Sequence, residues 1–165
     1  MNRTALLLAA LTAALYLPRL SAVPVYLAPD EVFIALHAQS IASTGRDYGG
    51  RFLPLYIEYQ YKAIDRSGQD VTHSGWLPPI IFYLMALFVK IFGLSEFTVR
   101  LPTVLVGIAD VVLMYFIGRT LFRRETYGVL SAALLALTPA HLIHSRLGMD
   151  YLYPLPFLLA CRRAA

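Results

Sequence analysis

The chain has 165 residues, of which 58% are hydrophobic and 15% charged, with a net charge of +4. Such a composition, gathered into long apolar runs, excludes an ordinary soluble domain. The charge is modest and forms no basic runs, which argues against nucleic-acid binding, and the single cysteine, Cys161, cannot form an internal disulfide.

In chain order, Met1-Asn2-Arg3 opens the first apolar stretch. Its residues suit either a secretory signal ending near Leu20-Ser21-Ala22 or an uncleaved anchor. The anchor, over about 4–23, is preferred because later spans already make the chain membranous and Pro18-Arg19 fall where cleavage would be approached. Residues Asp30 to Thr44 predict a helix with Asp30 as N-cap and Gly45 as its stop. Ile34, Ala38, Ile41 and Ala42 form an apolar stripe opposite His37, Gln39 and Ser43, as in a helix lying on a membrane surface. Arg46 to Gly75 reads as a polar loop whose Tyr48, Tyr56, Tyr59 and Tyr61, followed by Trp76, anchor at the headgroups.

The run Leu77 to Phe92 opens with Pro78-Pro79 and carries Lys90 in its last turn. It is short for a span and predicts a helix in the interface; a tilted short span is the alternative and would reverse everything after it. Longer runs predict spans over about 99–120 and 127–144. A further span begins near Tyr151, but Arg162-Arg163 interrupt it before the roughly 20 apolar residues a crossing needs, so a truncated chain is expected. The fold class expected is therefore all-α: one polytopic transmembrane helical bundle over residues 1–165, with amphipathic juxtamembrane helices in a first outer loop of about 28–98.

Orientation follows from positive charge retained on the cytoplasmic side. Arg119, Arg123 and Arg124 mark that side, and Arg3 puts the amino terminus there too. The loop after the first span and the loop after the third then share the outer face of a cell membrane. These loops hold Asp30, Glu31, His37, Asp65, Asp70, His73, Arg146 and Asp150.

Adjacent carboxylates at a membrane surface suit a base, a cation site or a substrate contact, although Asp30 capping its helix and Glu31 meeting the helix dipole would also explain them. Arg146 and Asp150 have the spacing of an i,i+4 ion pair; alternatively Arg146 meets a phosphate while Asp150 holds an acceptor hydroxyl or a metal. Lone histidines such as His73 and His141 more commonly make ordinary hydrogen bonds. Asp110 lies mid-span near Gly107, where bonding between helices is preferred over a proton or ion path.

The order of these elements carries a resemblance. Pro29-Asp30-Glu31 opens a loop helix, Trp76-Leu77-Pro78-Pro79 precedes Tyr83, and Phe97-Thr98-Val99-Arg100-Leu101-Pro102 follows Phe92-Gly93. The stretch from Gly118-Arg119 to Ser145-Arg146 and Asp150 completes the set. Together they resemble the N-terminal module of the GT-C glycosyltransferases, in the branch of bacterial relatives of protein O-mannosyltransferases and aminoarabinose transferases.

The resemblance implies an enzyme that moves a sugar from a polyprenyl-phosphate carrier to an acceptor hydroxyl at the outer face, with inversion, of which this chain is expected to be the N-terminal part, inactive without the later spans that complete the donor site in such enzymes. It implies Asp30 as base or acceptor-orienting carboxylate, Glu31 as its acidic neighbour, and Arg146 and Asp150 as the Arg and acidic positions of the second outer loop. His73 and Trp76 are candidates for substrate contact near the position where many relatives carry a lysine before the Pro-Pro; here Leu77 stands there. The partners expected are the lipid-linked donor and membrane lipids; a divalent metal is compatible with the acids but not demanded by them. The competing class is a non-enzymatic transporter or assembly subunit, in which the same charges only pair and cap.

Overall fold

The computed structural model describes residues 2–64 and 68–164. Asp65, one of the acids expected on the outer face, lies outside the described residues. The elements run α1 (Arg3–Tyr16), α2 (Pro29–Thr44), β1 (Ile57–Ile64), β2 (Asp70–Leu77), α3 (Ile80–Phe92), α4 (Glu96–Phe122), α5 (Glu125–Leu137) and α6 (Pro139–Ser145), then a 3-10 turn (Asp150–Leu152) and α7 (Leu155–Ala164).

The long helix α4 is the axis of the molecule. Ser95 caps it by accepting the Thr98 N–H at 3.2 Å, and its 27 residues are long and apolar enough to cross a membrane. Helices α1 and α5 pack on its carboxyl half through Ala5, Val111, Tyr115, Ala132 and Ala136. Tyr16, Leu20 and Val104 fill the space nearer its amino end. Leucines 7, 11, 121 and 134 point outward from the bundle, which suits a lipid surround.

At the amino end of α4 a second core joins α2 and α3, with Ile34, Ala38, Ile81, Phe82, Met85 and Val99 buried together. The face of α3 opposite this core exposes Leu87, Ile91 and Phe92. At 1.5 Å per residue its 13 residues reach about 20 Å, less than the roughly 30 Å hydrocarbon core.

Several expectations are corrected here. The fold is mostly helical but not all-α: the segment read as a polar loop contains an antiparallel hairpin in which Ile57 faces Leu77 and Ile64 faces Asp70. Ile57 is buried in the α2/α3 core and so fastens the hairpin to it. Helix α1 stops at Tyr16 instead of continuing to about residue 23, because Pro18 cannot continue a helix and the next residues form turns. The expected third span is two helices bent by 65° at Thr138-Pro139. Proline drives the preceding residue out of the helical region, and Thr138 adopts ψ 120°.

In α2 the N-cap is Ala28, not Asp30, and the Glu31 side chain completes the cap by accepting the Ala28 N–H at 2.9 Å. Gly45, at φ 70°, ends the helix in the left-handed conformation as expected. His37 was expected on the solvated face; it is buried against Phe33 and Phe82, while Val32 and Leu36 are exposed.

The two ends of α4 gather different residues. Asn2 donates to the Tyr115 hydroxyl at 2.8 Å, near Arg119 and Glu125, whereas Arg100 reaches Glu31 and the Gly148 loop approaches Val99. Arg100 and Arg119 are separated by about 28 Å along the helix axis, close to the thickness of a hydrocarbon core.

Candidate active site

Asp30 stands in the first turn of α2 and is exposed, while Asp150 opens the 3-10 turn that follows α6. Both line one cavity of about 680 Å³, together with Phe33, Tyr59, Gln60 and Tyr151. The chamber thus has carboxylates on two walls, an aliphatic and aromatic floor from α2, and the hairpin along one side. Among its described lining residues there is no lysine or arginine. Nor do three or more His, Cys, Asp or Glu side chains converge as metal ligands among the described residues.

Glu31, one residue on, turns the opposite way and is fully buried. Its Oε1 accepts the Arg100 Nε–H at 3.1 Å and the Gly148 N–H at 2.7 Å, and its Oε2 accepts the Ala28 N–H and an Arg100 NH2 proton. Arg100, equally buried, donates its remaining protons to the carbonyls of Leu20, Pro24 and Tyr26. A buried ion pair is tolerable only when its other lone pairs and protons are satisfied, and here they are. Glu31 is not among the residues that line the cavity: it ties the first turn of α2 to α4 and to the loop carrying Asp150.

Arg146 makes no ion pair with Asp150. It donates to the carbonyls of Tyr16 at 2.9 Å, Pro18 at 2.8 Å and Val23 at 3.2 Å, and so braces the turns after α1. These bonds engage three of the five N–H donors of the guanidinium expected to meet a phosphate.

His73 and Trp76 stand on β2 opposite Tyr61 and Glu58, and neither is among the cavity's lining residues. Trp76 is 63% exposed, as a headgroup anchor would be, and its neighbour Leu77 lines the cavity. Asp110 and His141 face each other inside the bundle, Oδ2 to Nε2 at 3.6 Å, beyond hydrogen-bond range. His141 Nδ1 lies 2.9 Å from the Tyr16 hydroxyl, which also reaches the Ala136 carbonyl. The hydrogen bond between helices expected of Asp110 is not formed among the described residues; near Gly107 helix α6 approaches α4 closely through Ser145, whose hydroxyl donates within its own helix to the His141 carbonyl.

Sequence reasoning missed Arg100, Tyr59, Gln60 and Tyr151. Arg100 carried a signal, since a charge one turn inside an apolar span needs a buried counter-charge, and Glu31, read instead as the acidic neighbour of Asp30, was an acid able to supply it.

No curated protein and no solved structure matches the chain. The family model of dolichyl-phosphate-mannose-protein mannosyltransferases matches residues 77–161, from the end of β2 into α7, which is just over half of the chain. The match begins after Asp30 and Glu31 and includes Arg100, Arg146 and Asp150; the chain belongs to this family of membrane glycosyltransferases.

Proposed function

We propose that the protein transfers a sugar, of the mannosyl kind, from a polyprenyl-phosphate carrier to an acceptor hydroxyl, and that Asp30 is the general base. The observation that carries this reading is the placement of Asp30 and Asp150, from elements far apart in the sequence, on one cavity. The acceptor O–H gives its proton to the Asp30 carboxylate as its oxygen attacks the anomeric carbon. The bond from that carbon to the phosphate oxygen breaks, the lipid phosphate leaves with the electron pair, and one displacement inverts the centre. Asp150 on the facing wall would accept a hydrogen bond from a second hydroxyl and orient the sugar or the acceptor.

The same reading has α4 crossing the membrane and the bent pair α5–α6 forming a second passage. Asp30, Asp150 and the hairpin then lie on the face opposite Arg119, Arg123 and Arg124, by the retention of positive charge in the cytoplasm. The exposed apolar face of α3 would rest in the interface beside the cavity, where a lipid-linked donor can enter from the side.

The test is Asp30→Asn in membranes carrying the protein, with polyprenyl-phosphomannose as donor. Transfer is expected to fall by about 10²- to 10⁴-fold, the range for loss of a general base, with insertion unchanged. Undiminished transfer would overturn the proposal. The rival transport reading rests on the buried Asp110–His141 pair, which lines neither this cavity nor the smaller one beside it. It would be favoured if Asp110→Asn abolished function while Asp30→Asn did not.

A further inference from the structure

A second, polar cavity of about 380 Å³ opens beside the first and is lined by His37, Tyr48, Arg51, Glu58 and Gln60. Gln60 lines both cavities, and α2 runs along both, with Asp30 in one and His37 in the other. Seven helical residues separate those two positions, or about 10 Å at 1.5 Å per residue. The second cavity therefore lies at a distance that a bound molecule could span from the Asp30 carboxylate.

Its chemistry is specific. Asp47, buried beneath it, accepts the Arg51 N–H and Nε–H, each at 2.8 Å. One side of Arg51 is thereby held, and its NH1 lies 3.7 Å from Glu58. Glu58 Oε1 accepts from the Gln60 amide at 3.0 Å, which leaves the amide oxygen as an acceptor on the side chain that lines both cavities. His37 Nδ1 accepts the Tyr48 N–H at 3.3 Å, so a neutral imidazole carries its proton on Nε2 and presents a donor. Burial lowers the His37 pKa against the next-largest influence, the opposing pull of Asp47, with the Arg51 charge adding a smaller downward push, in keeping with that neutral form.

With His37 neutral, the single positive charge of Arg51 meets two carboxylates, Asp47 and Glu58. The cavity is thus net negative and repels phosphate or acidic ligands. What remains is an alternation of donors and acceptors around the exposed ring of Tyr48, which is 72% accessible. Vicinal hydroxyls on a rigid ring with an apolar face fit this pattern: the carboxylate and amide oxygens accept, Arg51 and His37 donate, and the tyrosine takes the ring face.

We infer that this cavity, between α2, the 46–56 loop and β1, is a carbohydrate subsite that holds the distal part of a neutral, hydroxyl-rich acceptor while its reacting hydroxyl reaches Asp30. The inference rests on the transferase reading for its purpose, but the sugar site itself can be tested separately. The probes are α-mannotriose, maltotriose and cellotriose, with a serine- and threonine-containing peptide as rival, measured by saturation-transfer NMR on the full chain in phospholipid nanodiscs.

At least one trisaccharide is expected to receive saturation, and Tyr48→Ala and Glu58→Gln are each expected to weaken its binding about tenfold, the worth of one lost stacking contact or charge-assisted bond. Far-UV circular dichroism of the conservative Glu58→Gln variant confirms that the fold persists. Saturation of the peptide alone, or sugar signals that survive both substitutions, would overturn the subsite. If sugar binds as described but Asp30→Asn leaves mannosyl transfer undiminished, the transferase reading fails and the carbohydrate site stands.

Discussion

Replacing Glu31 tests whether the buried acid is a clamp or a participant in the reaction. Glu31→Ala would leave the Arg100 guanidinium bonded to three carbonyls with no buried counter-charge, and breaking one partner of such a pair costs about 3–5 kcal/mol. The N–H groups of Ala28 and Gly148 would lose their acceptor as well, each adding up to about 1–3 kcal/mol, although losses within one network do not sum. Set against a total stability of about 5–15 kcal/mol, this variant should be marginal or unfolded.

Glu31→Gln keeps the volume but turns an amide NH2 toward donors on Arg100, Ala28 or Gly148, and should cost about 3 kcal/mol. The double variant Glu31→Gln/Arg100→Met should be less destabilised than the sum of its singles by about 2–3 kcal/mol, within the range of coupling for residues in one network. Titration of the purified chain in micelles with dodecyl sulfate, followed by far-UV circular dichroism, measures all of these. A Glu31→Gln variant within about 1 kcal/mol of the parent that had lost transfer activity would refute the clamp and make Glu31 part of the chemistry.

Stability should also fall with acid. His37 is held below its ordinary 6.5, so below that pH the unfolded chain binds a proton that the folded chain refuses; the contribution is complete above 6.5 and declines as pH drops. Burial pushes Asp47 up, but the Arg51 N–H, guanidinium and charge outweigh it and bring it below 3.8, so a second loss follows at lower pH as Asp47 takes its proton. The same titration repeated between pH 8 and 4 checks the His37 part: His37→Gln should flatten the slope just below neutrality, and an equally flat parent would contradict it. Gly148→Ala should push the Asp150 loop outward, because a Cβ there would stand 2.9 Å from the Val99 carbonyl and 3.3 Å from Glu31 Oε1. Overpacking of this kind costs about 1–3 kcal/mol, and transfer should fall further than stability explains. A variant as stable and as active as the parent would show the loop to be unconstrained.

The legible parts of the chain were those with a single dominant period or a strong stop signal. Helix α4 is one long apolar run, and Gly45 ends α2 where a left-handed residue is needed. The hairpin had a signal that aromatic content obscured: Ile57, Tyr59, Tyr61 and Ala63 alternate with Glu58, Gln60 and Lys62, a period of two. Pro139 likewise announced the break between α5 and α6. The placement of His37 was not legible, since one polar residue on a helix is drawn inward only when rings such as Phe33 and Phe82 and the Tyr48 N–H arrive from elsewhere in the chain. Nor did the spacing of Arg146 and Asp150 reveal that the turns after α1 would claim the arginine.

The opposed directions of Asp30 and Glu31 follow from helix geometry, and they bear on how a site at a membrane surface stays ordered. Successive helical residues point about 100° apart, so an acid fixed inward commits its neighbour to another direction. Glu31 fixes the rotation of α2 through Arg100, and the same oxygen that meets Arg100 Nε also holds the N–H of Gly148, two residues before Asp150. One buried carboxylate thus positions both cavity-lining carboxylates. Arg100 and Arg146 between them bind six carbonyls from the end of α1 and the turns after it, so those turns form a common base beneath α2 and the Asp150 loop. Without this base, Asp30 would sit at the frayed first turn of a helix and Asp150 on an open loop, and neither would keep the sub-ångström placement that the proposed proton transfer and displacement would require.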